Sequence, residues 1–442
     1  MITIKEVKTK SQQNQFVDFP TKLYKSCEYY VHPLRMDEMK LFDKNNVYYK
    51  DCDAVYYLAY KDDNPKPVGR IAGILQKAYN QKTKEKRIRF TRFDCIDDQE
   101  VATTLFNAVE NWAKEKGMNV VHGPLGFNDL DREGLLIEGF DYLATFEEQY
   151  NFEYYPRLIE KCGYSKEVDW FEYRLFPPKE MDARVQRLSF SVLKRYNLKI
   201  AKEKSKKKYI NKYKEGIFNI IDEAYGPLYG TIPFTDELRN QIICQFESFL
   251  KLKYIVTILD ENDKVIAFGF VIPSLSDAIR KSKGRIFPFG IFRLLRAIKF
   301  GKRADFGLIG VNQKYLNKGL PAVVINEIMK TMIEEKLEYC ETNLMLEDNV
   351  KIQNIWDNYD HIQHKRRRCY IKGLDKKIAI KKTKTDDKKG SSTKDKVINK
   401  TENKTSGKAS TKTANKSGSK STKTFDKNEK VKAIKSAKPT KK

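Results

Sequence analysis

One order of hydrophobic patterns occurs twice along the first 374 residues, and that repetition constrains the fold more than any single motif. The first copy opens with an alternating run, Ile2 to Val7, and a helical pattern around Gln12 to Tyr24. The second opens with a strand-like Leu198 to Ala201 and a helical pattern over Tyr209 to Tyr225. Each then carries two apolar runs around a polar turn, Lys61 to Pro67 in one and Asp260 to Lys264 in the other, the pattern of a β-hairpin. A strand, a loop and an amphipathic helix follow. Val101, Leu105, Ala108 and Trp112 form one helical stripe; Val324, Ile325, Ile328 and Met332 form the other. Each copy closes with a short helix and a strand. The expectation is an α/β (α+β) chain of two similar domains, 1–176 and 177–374, each of ordinary domain size.

The remaining segment, 375–442, is of another kind. It contains 23 Lys and 7 acids, a net +16 out of the chain's +26, with Phe425 its one aromatic residue. So few apolar side chains cannot offset the entropy of ordering, so a disordered, Lys-rich tail is expected. Its charge suits nonspecific contact with nucleic acid or an acidic surface. It has no Arg for bidentate contacts and no aromatic interleaving, which favours a solubilising extension. The seven cysteines are scattered singly, without a CxxC pair, and fit buried thiols in a reducing cytoplasm. No metal site is expected from them or from the four histidines. His361 and His364 read as surface residues beside the basic run Lys365 to Arg368. No apolar run approaches the ~20 residues of a membrane span, so no transmembrane segment is expected.

Chemistry concentrates in Ala304 to Asn349. A strand pattern, Phe306 to Val311, enters a loop without acid from Asn312 to Gly319, and an amphipathic helix begins at once. Backbone N–H groups at a helix N-terminus, with Lys314 and Lys318 nearby, form a natural anion site. The matching loop of the first copy carries Asp94, Asp97, Asp98 and Glu100 and no glycine. Those acids suit helix capping and would repel a phosphate.

This order of elements resembles the GNAT (GCN5-related N-acetyltransferase) fold, in two tandem copies over nearly all of 1–374. The segment Gly123 to Asp141 (GPLGFNDLDREGLLIEGFD) resembles that of bacterial double-GNAT proteins. The resemblance implies acetyl-CoA or another acyl-CoA as co-substrate, with pantetheine paired along Ile309 and Val311. It also implies pyrophosphate held by the loop Asn312, Lys314, Asn317, Lys318, Gly319, Leu320 and Ala322. Gly319 matches the family motif; Leu316 stands where Gln or Arg is usual, and Pro321 where a small residue is usual. The first copy is then a structural or substrate-side domain.

Acyl transfer to an amine needs a polarised thioester carbonyl, a base for the amine and a proton for the thiolate. The resemblance places Asn349 in the family's Asn-containing segment. Trp356 falls at the usual tyrosine, leaving Tyr359, one turn on, as the acid. Glu341, on the strand run Tyr339 to Leu346 with Asn343 on the same face, is the leading base; Glu347 and Asp348 read more readily as turn or capping acids. Asn128, Asp129, Asp131 and Arg132 are candidates to hold a polar acceptor, a small-molecule or peptide amine, between the copies; an Asx-turn network that only shapes the loop is an equal alternative. The insert Ser274 to Arg303 alternates aromatic and basic residues. It suits a lipid-headgroup surface, a lid, or a helix packed on the other copy with a wet basic face. The first expectation is a cytoplasmic N-acyltransferase. A Fem-like transferase using aminoacyl-tRNA or a lipid-linked donor, and a binding protein on a GNAT scaffold, are its alternatives.

Overall fold

The computed structural model describes residues 1–375 apart from Ser248; the tail reading for 376–442 lies outside the described residues. The first repeat contributes β1 (Ile2–Glu6), β2 (Cys52–Lys61), β3 (Pro67–Gln76), β4 (Arg87–Cys95), β5 (Val120–Gly123), β6 (Leu135–Glu138) and β7 (Ser165–Phe176). The second contributes β8 (Lys199–Ile200), β9 (Ile255–Leu259), β10 (Val265–Pro273), β11 (Arg303–Val311), β12 (Tyr339–Glu341), β13 (Met345–Leu346) and β14 (Asp360–Gly373). Both hairpins turn where the polar clusters predict, between β2 and β3 and between β9 and β10.

All strands join one mixed sheet in the order β1-β2-β3-β4-β5-β14-β7-β12-β11-β10-β9-β8, with β6 on β14 and β13 on β7. The closing strands are exchanged. β7, from the first repeat, pairs with β12 of the second, and β14 pairs with β5 of the first; β7 and β14 pair with each other along nearly their whole length. A cut at residue 176 would therefore remove a strand from the middle of each half. All the described residues fall in one compact unit.

The repeats are congruent in detail. β4 runs parallel to β5 only over Arg87–Arg89, and β11 parallel to β12 only over Arg303–Asp305. Both β3–β4 and β10–β11 carry a bulge at the same place: Arg70 faces Asp94 and Ala72 faces Thr91, while Gly269 faces Ile309 and Val271 faces Phe306. The helices Gln99–Glu115 and Leu320–Glu334 bury the predicted stripes against these strands, burying Val101, Leu105 and Trp112 in one core and Val324, Ile328 and Met332 in the other. Full burial of such side chains contributes about 1.5–3 kcal/mol each.

Where β7 meets β14, the buried face is charged. Lys365, Arg367, Glu172 and His364 are buried. This corrects the surface reading of His364 and the basic run: the strand alternation turns Lys365 and Arg367 inward. Lys365 Nζ lies 2.9 Å from Glu341 Oε2 and 3.6 Å from Glu172 Oε2, and Arg367 Nε donates to Glu172 Oε1 at 2.5 Å.

Candidate active site

Beyond Asp305 the parallel pair opens. β11 continues with β10, while the chain after β12 leaves it and rejoins β7 as β13. The run Tyr339–Leu346 is thus not one strand; it breaks at Thr342–Leu344, where Asn343 Oδ1 accepts from the Leu344 N–H at 2.7 Å. The break separates Asn343, which faces the opening, from Glu341, which does not.

The opening is a cavity of about 570 Å³, inside the usual range for a ligand site, ~300–1,000 Å³. One wall is β11 from Phe306 to Val311, and another is Thr342–Leu346 with Asn349, Ile352 and Trp356. The helix Lys206–Tyr225 adds Ile217, Phe218 and Ile221. That helix starts where the Ser205 hydroxyl accepts from the Lys208 N–H. Leu316 and Pro321 border the cavity at the loop. The wall is mainly apolar; its charged members are Lys214 and Asp348 of the second repeat and five carboxylates brought from the first, Asp129, Asp131, Glu133, Glu147 and Glu148. First-repeat cations also fasten the chain after the helix. Lys82 Nζ donates to Gly226 O at 2.6 Å, and Arg89 Nη2 to Gly230 O at 2.6 Å. One cavity is thus built by both repeats.

Burial controls those carboxylates. Burial, with Asp305 and Glu148 nearby, pushes the Glu147 carboxyl up to about 8. Burial also raises Glu133 and Glu148 and brings Asp129 to about 6. Glu133 Oε1 and Glu148 Oε2 have no hydrogen-bond partner among the described residues. Such acids are neutral or poised near neutrality, the state suited to exchanging a proton with an amine. In sequence only Asp129 and Asp131 stood out; Glu133, Glu147 and Glu148 have no local signature, because their environment comes from the second repeat.

The other sequence candidates fall as follows. Ile309 and Val311 line the cavity, but both backbone groups of Ile309 are engaged. Its N–H donates to the Tyr225 hydroxyl at 3.3 Å, and that hydroxyl donates to its C=O at 2.9 Å. The loop without acid acquires one from elsewhere: Glu223 accepts from Asn312 Nδ2 at 2.9 Å and from the Gln313 N–H at 3.3 Å. Lys314, Asn317, Gly319 and Ala322 are exposed, and Leu320 is buried. Gly319 takes φ +80°, which favours glycine, and leads into the helix Leu320–Glu334. Lys318 Nζ sits over the rings of Tyr315 and Tyr196, 4.4 and 4.8 Å from their centroids.

Glu341 is locked rather than free. Arg174 Nη2 lies 2.7 Å from it, His364 Nε2 3.0 Å and Lys365 Nζ 2.9 Å, and the Lys365 charge, with the His364 contact and the Arg174 guanidinium, holds its carboxyl well below the usual range. Asn349 borders the cavity; Tyr359 is partly buried and outside its lining. Asn128 is buried, its Oδ1 accepting from the Leu130 N–H at 2.9 Å, and Arg132 Nη2 donates to Phe146 O at 2.9 Å. In the first repeat, Asp94 is buried against Arg70 at 2.8 Å, Asp98 caps its helix by accepting from the Glu100 N–H, and Asp97 pairs with Arg157. Two groups of potential metal ligands occur among the described residues, His122–Glu167–Cys369 and Glu172–Glu341–His364. Each already holds a cation side chain, Arg87 on Glu167 and Lys365 on Glu341, so ion pairing accounts for both.

No family model matches the chain. Protein YghO of Escherichia coli K12 is 25% identical over 378 residues, covering 83% of this chain and 94% of that protein. The bacterial ceramide synthase of Caulobacter vibrioides is 25% identical over 390 residues, covering 84% and 98%. A tandem GNAT protein from the clavulanic acid biosynthesis pathway superposes with a TM-score of 0.51 at 8% identity, over 85% of this chain and 99% of that one. The glucosamine N-acetyltransferase region of a fungal multi-domain β-N-acetylglucosaminidase gives 0.50 at 10% identity, over 84% and 38%. With the repeated bulge, the opened strand pair and the glycine-led helix, these likenesses establish that the chain has the tandem GNAT fold.

Proposed function

We propose that the protein is an acyl-CoA-dependent N-acyltransferase whose amine acceptor, acyl group or both carry a long hydrocarbon chain. The observation that supports this most is the large, mainly apolar cavity with neutral-poised carboxylates at its wall. A short acetyl group and a small polar amine would leave most of that wall unfilled, whereas each buried methylene contributes ~0.8 kcal/mol. The likeness to a ceramide synthase points the same way, since a ceramide is the amide of a fatty acid and a long-chain amino alcohol. The splayed edge of β11 is the place for the thioester, and Val311 offers a backbone N–H group for its carbonyl, the Asn312 N–H being held by Ile266 O at 2.9 Å. Donor phosphates would meet the loop ending at Gly319.

The amine nitrogen attacks the thioester carbon, the C–N bond forms and the C–S bond breaks. Glu147, once ionised, takes the proton of the amine. Tyr225, whose phenol burial pushes up to about 12 and so keeps neutral, returns a proton to the thiolate. A CoA-using enzyme with seven unpaired cysteines fits the cytoplasm. The test is to incubate the full chain with acyl-CoAs from acetyl to palmitoyl and with amines that include sphinganine, following thiol release and amide mass. Amide formed faster with long-chain partners supports the reading. Absence of thiol release with every pair overturns it.

A further inference from the structure

The insert between β10 and β11 forms two helices, Ser276–Ser282 and Gly290–Phe300. The second packs inward through Leu294, Ala297 and Ile298 onto a core with Leu275, Ile279 and Tyr150. Its outward side is not the wet basic face expected of a packed helix. Phe289 and Phe292 are each 69% exposed, Leu295 55% and Phe300 60%, and Phe287 just before the helix is 69% exposed. Arg293, Arg296 and Lys299 stand among them, with Arg296 and Lys299 over the ring of Phe300. Residues 278–304 contain nine Lys or Arg and no acid. Seven of the nine form no ion pair among the described residues; Arg280 and Arg303 pair with Asp277.

We propose that this face docks on an anionic lipid surface, with the Phe and Leu side chains in the headgroup–acyl boundary and the cations on the headgroup phosphates. Charge complementarity carries the choice of partner: an acid-free, aromatic and cationic helix face gains from burying apolar area and from attraction to anionic lipid together. A protein groove would offer apolar area without a use for seven unpaired cations. Nucleic acid would use the cations but leave most of the aliphatic and aromatic area in water. No helix among the described residues is long and apolar enough to cross a membrane, so the contact is peripheral.

The experiment is flotation of the full chain with vesicles of phosphatidylcholine alone and with phosphatidylglycerol added. A triple variant, Phe289→Ser, Phe292→Ser and Leu295→Ser, is run beside it. These side chains are exposed, so circular dichroism and Tm should match the parent. The parent is expected to float with phosphatidylglycerol vesicles, with partition about tenfold or more weaker for the variant and for phosphatidylcholine alone. Equal flotation of parent and variant would assign binding to the Lys-rich tail and overturn the proposal. Equal flotation on both vesicle types, or none, would overturn it as well. Acyl transfer assayed in detergent-dispersed substrate does not depend on this face, so the two proposals fail separately.

Discussion

The hydroxyl of Tyr225 bridges the N–H and the C=O of Ile309, midway along the β11 stretch Phe306–Val311 that lines the cavity. Its counterpart in the first repeat is Tyr24, whose hydroxyl donates to Asp94 at 2.9 Å at the corresponding place beside the β4 bulge. Asp94 is there paired with Arg70, and the pocket they line holds only about 10 Å³. In the second repeat Gly269 and Ile309 replace that ion pair, and the space stays open. Replacing Tyr225 with Phe should lower kcat by about 10²-fold, the usual size of one proton-transfer contribution. The KM for the acyl donor should not rise, because the Ile309 groups are released. Steady-state kinetics with varied donor check both; an unchanged kcat removes Tyr225 from the proton transfer.

Glu147 sets a pH dependence. Its carboxyl, raised to about 8, is mostly neutral at pH 7 and becomes a base as pH rises. kcat/KM should therefore climb with pH through this range, and Glu147→Gln should be slow and lose that limb. A parent profile flat from pH 6 to 9 would exclude Glu147 as the base.

Chain-length preference should follow cavity length. Leu308 lines the cavity from β11. Leu308→Trp should raise KM for palmitoyl-CoA or a long-chain amine at least about tenfold, with short-chain substrates affected little, since each excluded methylene forfeits ~0.8 kcal/mol. Equal effects on short and long substrates would mean that the cavity does not hold the chain.

Lys365 bridges the halves from within the exchanged strands. Removing it leaves Glu341 and Glu172 short of a buried partner, a change that costs ~3–5 kcal/mol. Lys365→Met should therefore lower stability by about that amount. Because the strands are exchanged, chemical unfolding of residues 1–375 should proceed in one transition, with probes in both repeats coincident. Separate midpoints for the two halves would contradict the interlocked sheet.

Glu167 gives the acid side. His122, Arg87 and Tyr229 hold its carboxyl at about 2, below the ordinary Glu value. The folded pKa is depressed, so its stabilisation, on the order of 3 kcal/mol, is complete above about pH 4.5. It is lost as pH falls toward 2. Glu167→Gln should flatten this part of the stability–pH curve, measured by urea unfolding between pH 3 and 7.

The repeat, both hairpins, the helical stripes and the glycine-led helix were determined by the sequence itself. Each depends on short-range periodicity or on one backbone conformation, and both are local properties. The resemblance added the tandem GNAT fold, and Ile309, Val311, Asn349, Asp129 and Asp131 do border the cavity. Tertiary structure alone decided the exchange of β7 and β14, because two strands with similar alternation satisfy either half equally well by pattern. It alone placed Glu223 on the loop without acid and turned Lys365 and Arg367 inward. It alone set Glu133, Glu147 and Glu148 against the second repeat's apolar wall. A carboxylate's proton affinity depends on which distant residues exclude water from it, and that information is not carried by its neighbours in the chain.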